Sequence, residues 1–182
     1  MSDDEILVMI ADPQQREQGF RCLMEVYQER LYHHVRRMVV EHADAADVLQ
    51  NTLVKVYRHI DRFRGQSQLY TWLYRIATNE ALTYIERRKR QITALNQTDE
   101  EAVYSLQRLP AEVELDSRQV QQLLEQAIAL LPPRQRMVFS LRYFEEMNYQ
   151  EMAEMLEVSE GGLKANYHHA VKKIEAFLRE HS

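Results

Sequence analysis

Asn148 to Ala170, NYQEMAEMLEVSEGGLKANYHHA, is the stretch on which the fold turns. It has the proportions of a helix-turn-helix: a short first helix, a tight turn and a longer second helix. Asn148 can cap Tyr149 to Leu156. Ser159 can cap a last helix that carries Leu163, Tyr167, Ala170, Ile174, Phe177 and Leu178 at steps of three and four. Ala153 is small enough for two crossing helices to approach, and Leu156, Val158, Leu163 and Tyr167 are expected to face a shared core. Glu157 stands where such a turn usually prefers glycine. With Leu163 and Tyr167 inward, Lys164, Ala165, His168 and Lys172 fall on an outer arc, bordered by Asn166 and His169. An asparagine can read a base edge, a lysine can hold a phosphate, and a small alanine permits close approach. The same segment also fits a plain helical hairpin, and Lys172 and Lys173 also fit a solvated helix end.

Upstream, Val120, Leu123, Leu124, Ala127, Ile128 and Leu131 predict a helix that Pro132-Pro133 stops, and Arg134 to Phe144 predicts the next. These four short helices make one domain, residues 118–182. Closer to the start, Phe20, Leu23, Met24, Tyr27, Leu31, Val35, Met38 and Val39 form one amphipathic stripe. Ala45, Val48, Leu49, Leu53, Val56, Tyr57 and Ile60 form a second. After the break FRGQSQ, a third helix runs from about Leu69 to Arg88 with Leu69, Trp72, Leu73, Ile76 and Tyr84 on one side. The expected fold is therefore all-α: a helical domain over 20–90, an acidic linker over 91–117, and the helix-turn-helix domain. Residues 1–19 form an acidic helix or arm ahead of them.

The bulk composition agrees. The 182 residues are 45% hydrophobic and 28% charged with only four glycines and four prolines, which suits two small helical domains. A lone cysteine, Cys22, excludes an internal disulfide and reads as a small packed hydrophobe. Acids flank the first apolar run, where a signal peptide needs a basic flank, and no run approaches the roughly 18 residues of a membrane span. A cytoplasmic protein without membrane insertion is expected. The net charge of -5 argues against a nucleic-acid binder until its distribution is seen. Residues 20–90 carry 13 Lys and Arg against 8 Asp and Glu, whereas 1–19 carry 1 against 5 and 91–117 carry 1 against 6.

That basic block ends in RFRGQSQLYTWLYRIATNEALTYIERRKR, Arg62 to Arg90. Phe63, Tyr70, Trp72, Tyr74 and Tyr84 alternate there with Arg62, Arg64, Arg75 and the run Arg87, Arg88, Lys89, Arg90. Aromatic faces stack unpaired bases and cations follow the backbone, as single-stranded nucleic acid requires. Spacing alone would also place Trp72 and Tyr84 in a core. Catalysis finds no support: there is no glycine-rich phosphate loop, nucleophile elbow or HExxH-type pair. The adjacent histidines 33-34 and 168-169 cannot both ligate a metal from one helical face. No catalytic residue, metal site or cofactor is expected.

At these residues the chain resembles the extracytoplasmic-function group of bacterial sigma factors, the promoter-recognition subunits of RNA polymerase. ADVLQNTLVKVYRHIDRFRGQSQLYTWLYRIATNEAL resembles the family's polymerase-binding helix, specificity loop and promoter-opening helix. LPPRQRMVFSLRYFEEMNYQEMAEMLEVSEGGLKANYHHAVKKI resembles its second DNA-binding domain. The resemblance implies that Asp47, Gln50, Asn51, Leu53 and Val54 dock on core RNA polymerase. It implies that Phe63, Arg64, Gly65, Gln66, Ser67 and Gln68, with Asn79, accept a flipped base of the -10 element while Arg87, Arg88 and Lys89 hold phosphates. It further implies that Gly161, Lys164, Ala165, Asn166, His168, His169 and Lys172 meet the -35 element. The acidic linker would pass through the polymerase's nucleic-acid channel. Asn51 replaces a common acid, and Gly162, Ala165, Asn166 and His169 replace threonine, serine and two arginines, so promoter sequence does not carry over. An anti-sigma protein is a further candidate partner. Two other readings remain open: a sigma-like decoy that binds an anti-sigma protein, and a stand-alone helix-turn-helix regulator.

Overall fold

A computed structural model describes residues 1–95 and 117–181. All regular structure among them is helical: α1 (Asp3–Ala11), α2 (Arg16–Val39), α3 (His42–His59), a 3-10 turn (Ile60–Arg62), α4 (Leu69–Leu95), α5 (Ser117–Ala129), α6 (Pro133–Tyr143), α7 (Tyr149–Leu156) and α8 (Glu160–His181). The chain divides into two compact units, Met1–Ala81 and Leu82–Ser182.

In the first unit α1 packs on α2, and α2 on α3. Ser2 and Glu5 close a capping box that starts α1. Gly19 lets α1 lie close: a Cβ there would sit 2.8 Å from the Ile10 backbone nitrogen and 2.9 Å from the Met9 Cβ. Ile6 and Ile10 are thereby buried against a core of Leu23, Tyr27, Leu31, Val35, Val48, Val56, Leu69 and Leu73. Helix α2 begins at Arg16, ahead of the Phe20 at which the apolar stripe opens. On α3, Tyr57 departs from its expected place: it is 42% exposed, with its ring edge-to-face against Phe20.

Helix α4 buries Leu69, Leu73, Tyr74, Ala77, Thr78 and Ala81, while the expected Trp72, Ile76 and Tyr84 are half-buried flanks. The buried stripe is thus turned toward Tyr74, because α4 packs around a polar group the apolar pattern does not announce. That group is His34, fully buried on α2, with Nε2 2.9 Å from Thr78 Oγ1 and its ring 4.9 Å from that of Tyr74. Helix α4 also continues through 91–95, where a linker was expected. The remaining linker positions, 96–116, lie outside the described residues.

Between α2 and α3 the chain reverses at Val40, whose φ of 71° and ψ of -47° are those of a strained γ-turn. The Glu41 amide accordingly donates to the Val39 carbonyl at 2.9 Å. A β-branched residue is poorly suited to positive φ, so Val40→Gly should stabilise the first unit by about 1 kcal/mol. A urea midpoint that rises at constant slope checks this.

In the second unit Pro133 opens α6, where its missing N–H costs nothing. The core joins Ala127 and Ile128 of α5, Leu131 of the turn that follows, Phe139 of α6, and Ala170 and Ile174 of α8. Met147, Met152 and Met155 are buried as well. Not all four helices are short, since α8 runs for 22 residues. Val120 and Val158, expected inside, are 46% and 48% exposed. Val158 follows the left-handed Glu157, which turns the chain so that this side chain leaves the core.

Candidate nucleic-acid interface

The helix-turn-helix is assembled by two caps and one strained residue. Asn148 accepts from the Glu151 amide at 2.9 Å while Glu151 accepts from the Asn148 amide at 2.8 Å, a reciprocal capping box. Glu157 then ends α7 at φ 57°, ψ 44°, the left-handed conformation glycine would adopt without strain. The Val158 amide donates back to the Ala153 carbonyl at 3.2 Å, closing the turn. Ser159 Oγ accepts from the Gly162 amide at 3.2 Å and starts α8.

Beyond that cap, Leu163 is buried and Tyr167 half-buried, its ring stacked on Phe139 at 5.8 Å. The opposite side exposes Gly161, Lys164, Ala165, His168, His169 and Lys172, with Asn166 half-buried at the border. Two of these groups are already engaged. Lys164 Nζ is 3.1 Å from Glu160 Oε2 and 5.5 Å from the centre of the Tyr149 ring, and Asn166 Nδ2 donates to the Gly162 carbonyl at 2.8 Å. Both bonds run along the helix surface and are exchangeable for phosphate or base contacts. A Cβ at Gly161 would meet nothing within 4 Å, so the fold itself does not require glycine there. Gly161→Ala should therefore stabilise the free protein by about 0.5–1 kcal/mol through helix propensity. If a DNA backbone approaches this helix start, the same substitution should weaken -35 duplex binding about fivefold, a cost near 1 kcal/mol. Thermal melting and duplex titration, on one variant, read the two opposite signs.

In the first unit, Asp47, Gln50, Asn51 and Val54 recur at steps of three and four on the exposed side of α3, with Leu53 half-buried beside them. Val54 is 43% exposed, an apolar spot within a polar ridge of the kind that docks a partner. The opposite side of α3 buries Val48, Thr52 and Val56. Lys55 forms an ion pair with Glu80.

The loop after the 3-10 turn behaves as a presented surface. Arg64, Gly65, Gln66, Ser67 and Gln68 are exposed, and Gly65 takes φ 68° with open space around its Cα. Phe63 is half-buried, its ring 5.6 Å from that of Trp72. Along α4, Trp72, Arg75, Ile76 and Asn79 share one side, with Arg75 and Asn79 exposed. Tyr74 is withdrawn from the aromatic set, being fully buried against His34. Arg87, Arg88, Lys89 and Arg90 are all exposed on the same helix; Arg88 Nη1 lies 3.5 Å from the Tyr84 hydroxyl and Arg90 3.7 Å from Glu86. Sequence reasoning passed over Arg16 and Asp61, which meet in a bidentate pair beside this loop at 2.6 and 2.9 Å. They are 45 residues apart, and no local pattern couples them.

Comparison with known proteins gives a consistent result for both units. The family model for sigma-70 region 2 matches residues 23–91, and that for sigma-70 region 4 matches residues 121–174. The ECF RNA polymerase sigma-E factor of Escherichia coli (strain K12) is 31% identical over 166 residues, covering 87% of this chain and 86% of the relative. The RNA polymerase sigma-H factor of Pseudomonas aeruginosa is 29% identical over 169 residues, covering 90% and 88%. Among solved structures, the sigma factor RpoE of Bartonella quintana, in complex with the anti-sigma factor NepR, matches at TM-score 0.72 and 22% identity, covering 89% of this chain and 98% of that one. CnrH, in complex with the cytosolic domain of CnrY, matches at 0.68 and 20%, covering 99% of each. With both sigma-70 regions present in order, and a relative 31% identical over 86% of its length named an ECF sigma factor, the chain belongs to the extracytoplasmic-function group of RNA polymerase sigma factors.

Proposed function

We infer that this chain binds core RNA polymerase, recognises the -35 and -10 elements of a promoter, and opens the DNA to initiate transcription. It is not an enzyme: the polymerase performs the chemistry, and this subunit supplies the address. One observation carries the reading, namely that both sigma-70 regions occur in one chain. The exposed ridge of Asp47, Gln50, Asn51 and Val54, with Leu53, is the proposed polymerase contact. Phe63 to Gln68 and Asn79 are the proposed pocket for a flipped -10 base, with Arg87, Arg88 and Lys89 on nearby phosphates. Gly161, Lys164, Ala165, Asn166, His168, His169 and Lys172 are the proposed -35 surface, and the domains proposed for these tasks are 20–90 and 118–182, joined by 91–117.

The engaged state of Lys164 and Asn166 supports dependence on polymerase. Each must exchange an internal bond for a DNA contact, and residues 118–182 carry 8 Lys and Arg against 9 Asp and Glu. Such a surface reads weakly alone, because phosphate neutralisation supplies most duplex affinity. Polymerase brings the missing cations and holds both elements at once, which raises the effective concentration of each contact. The location proposed is the cytoplasm, where core polymerase resides; among the described residues no helix is long and apolar enough to cross a membrane. An anti-sigma protein is proposed as a regulator, since two structural neighbours are held in such complexes or with a partner's cytosolic domain.

The test compares the chain alone with the reconstituted holoenzyme on promoter fragments retrieved from the genome. Retention of specific fragments only with core polymerase is the expected result. Tight, specific duplex binding by the chain alone would point to a stand-alone regulator, and binding of polymerase without promoter selection would point to a decoy.

A further inference from the structure

The base-accepting loop is short and exposed, so its aim depends on how its ends are held. Its far end is fixed by burial of Leu69 and by the Trp72 amide donating to the Gln68 carbonyl at 3.2 Å. Its near end follows directly on the 3-10 turn, where the Phe63 amide donates to the Ile60 carbonyl at 3.0 Å. Ile60 is buried, which sets the depth of this turn but not its rotation.

Rotation is set from outside the turn. Arg16, the first residue of α2, sends Nη1 to Asp61 Oδ1 at 2.6 Å and Nη2 to Asp61 Oδ2 at 2.9 Å. The same Nη2 donates to the Tyr57 carbonyl at 3.2 Å, in the last turn of α3. The guanidinium also lies 5.3 Å from the centre of the Tyr57 ring, which is itself packed edge-on against Phe20 at 5.0 Å. One planar cation thus ties the start of α2, one carbonyl in the last turn of α3 and the middle residue of the turn. A bidentate guanidinium-carboxylate pair fixes orientation as well as distance. Each partner holds the other's charged form: the hydrogen bond from Arg16 lowers the Asp61 pKa, and that with Asp61 raises the Arg16 pKa.

We propose that Arg16 and Asp61 are positioning residues for promoter opening, a brace that orients the turn 60–62 and so aims Phe63 and the loop through Gln68 at the extruded base. The proposal rests on the assignment of that loop to the -10 base. Neither residue touches DNA in this account. The brace reaches α3 at Tyr57, one turn beyond Val54, so core affinity is measured separately from opening in the test.

The experiment uses full-length holoenzymes carrying Arg16→Gln, Asp61→Asn, the exchanged pair Arg16→Asp with Asp61→Arg, and the pocket variant Phe63→Ala. Core affinity, thermal melting and opening rate are measured on the cognate promoter and on one changed at the extruded base. Both single variants should bind core normally and melt close to the wild type, since Asp61 is exposed and Arg16 only half-buried at the surface. They should open the cognate promoter about 3–10-fold more slowly, as expected when reacting groups are misaimed rather than removed. They should also lose most of the discrimination between the two promoters, and the exchanged pair should recover much of both. Slower opening with discrimination intact, or unchanged opening while Phe63→Ala slows it, overturns the brace alone. Unchanged opening in Phe63→Ala as well overturns the loop assignment beneath it.

Discussion

Asn79→Ala holoenzyme should open its promoter about 10–100-fold more slowly while binding core polymerase as tightly as the wild type. The magnitude follows from the contact at stake. A side-chain amide paired with a base edge is worth about 1–3 kcal/mol of recognition, and an extruded base must recover unpairing energy of a few kcal/mol. Asn79 is exposed on α4, two turns along the same side from Trp72, whose ring meets Phe63. Alanine favours the helix at an exposed position, and thermal melting of the variant separates loss of the base contact from loss of fold. Stopped-flow fluorescence of a base analogue in the -10 element measures opening, and competition for core measures docking. An unchanged opening rate would remove Asn79 from the pocket.

Acidification should destabilise the first unit in large part through one buried histidine. Burial, with a smaller effect from the Arg37 charge, lowers the pKa of His34 from 6.5 to about 3, so it is neutral in the folded protein at pH 7. The unfolded chain binds a proton at His34 below about pH 6.5 and the folded protein does not until about pH 3. Stability contributed by this site is therefore complete above pH 6.5 and lost as pH falls toward 3, at up to about 1.4 kcal/mol per pH unit. Between pH 6.5 and 5 the loss should be about 2 kcal/mol. His34→Asn should start less stable, because Thr78 loses its ring partner, but should lack this slope. Urea unfolding of both proteins at several pH values isolates the difference; equal slopes would contradict the assignment.

Helix periodicity made most of this fold legible, because a buried stripe at steps of three and four needs little tertiary knowledge. The caps at Asn148 and Ser159 were readable for the same reason, each acting within three residues. What escaped depends on partners far along the chain. The rotation of α4 toward Tyr74 follows from His34 and Thr78, 44 residues apart, and the close approach of α1 follows from Gly19. Val158 left the core because Glu157 accepts a left-handed conformation that composition alone would assign to glycine. Of the site, the exposed arc from Gly161 to Lys172 appeared on α8 as expected because one helix carries all of it. The Arg16-Asp61 pair was invisible, since neither residue stands out until the fold joins them.

As a promoter-recognising subunit, this chain should direct polymerase to a two-part promoter and open it there. Reconstituted holoenzyme should be given fragmented genomic DNA and nucleotides, and the 5′ ends of the transcripts sequenced. Starts confined to a small set of sites that share one upstream -35 and one -10 motif, absent with core alone, are the predicted result. Starts no more focused than those of core alone would contradict it.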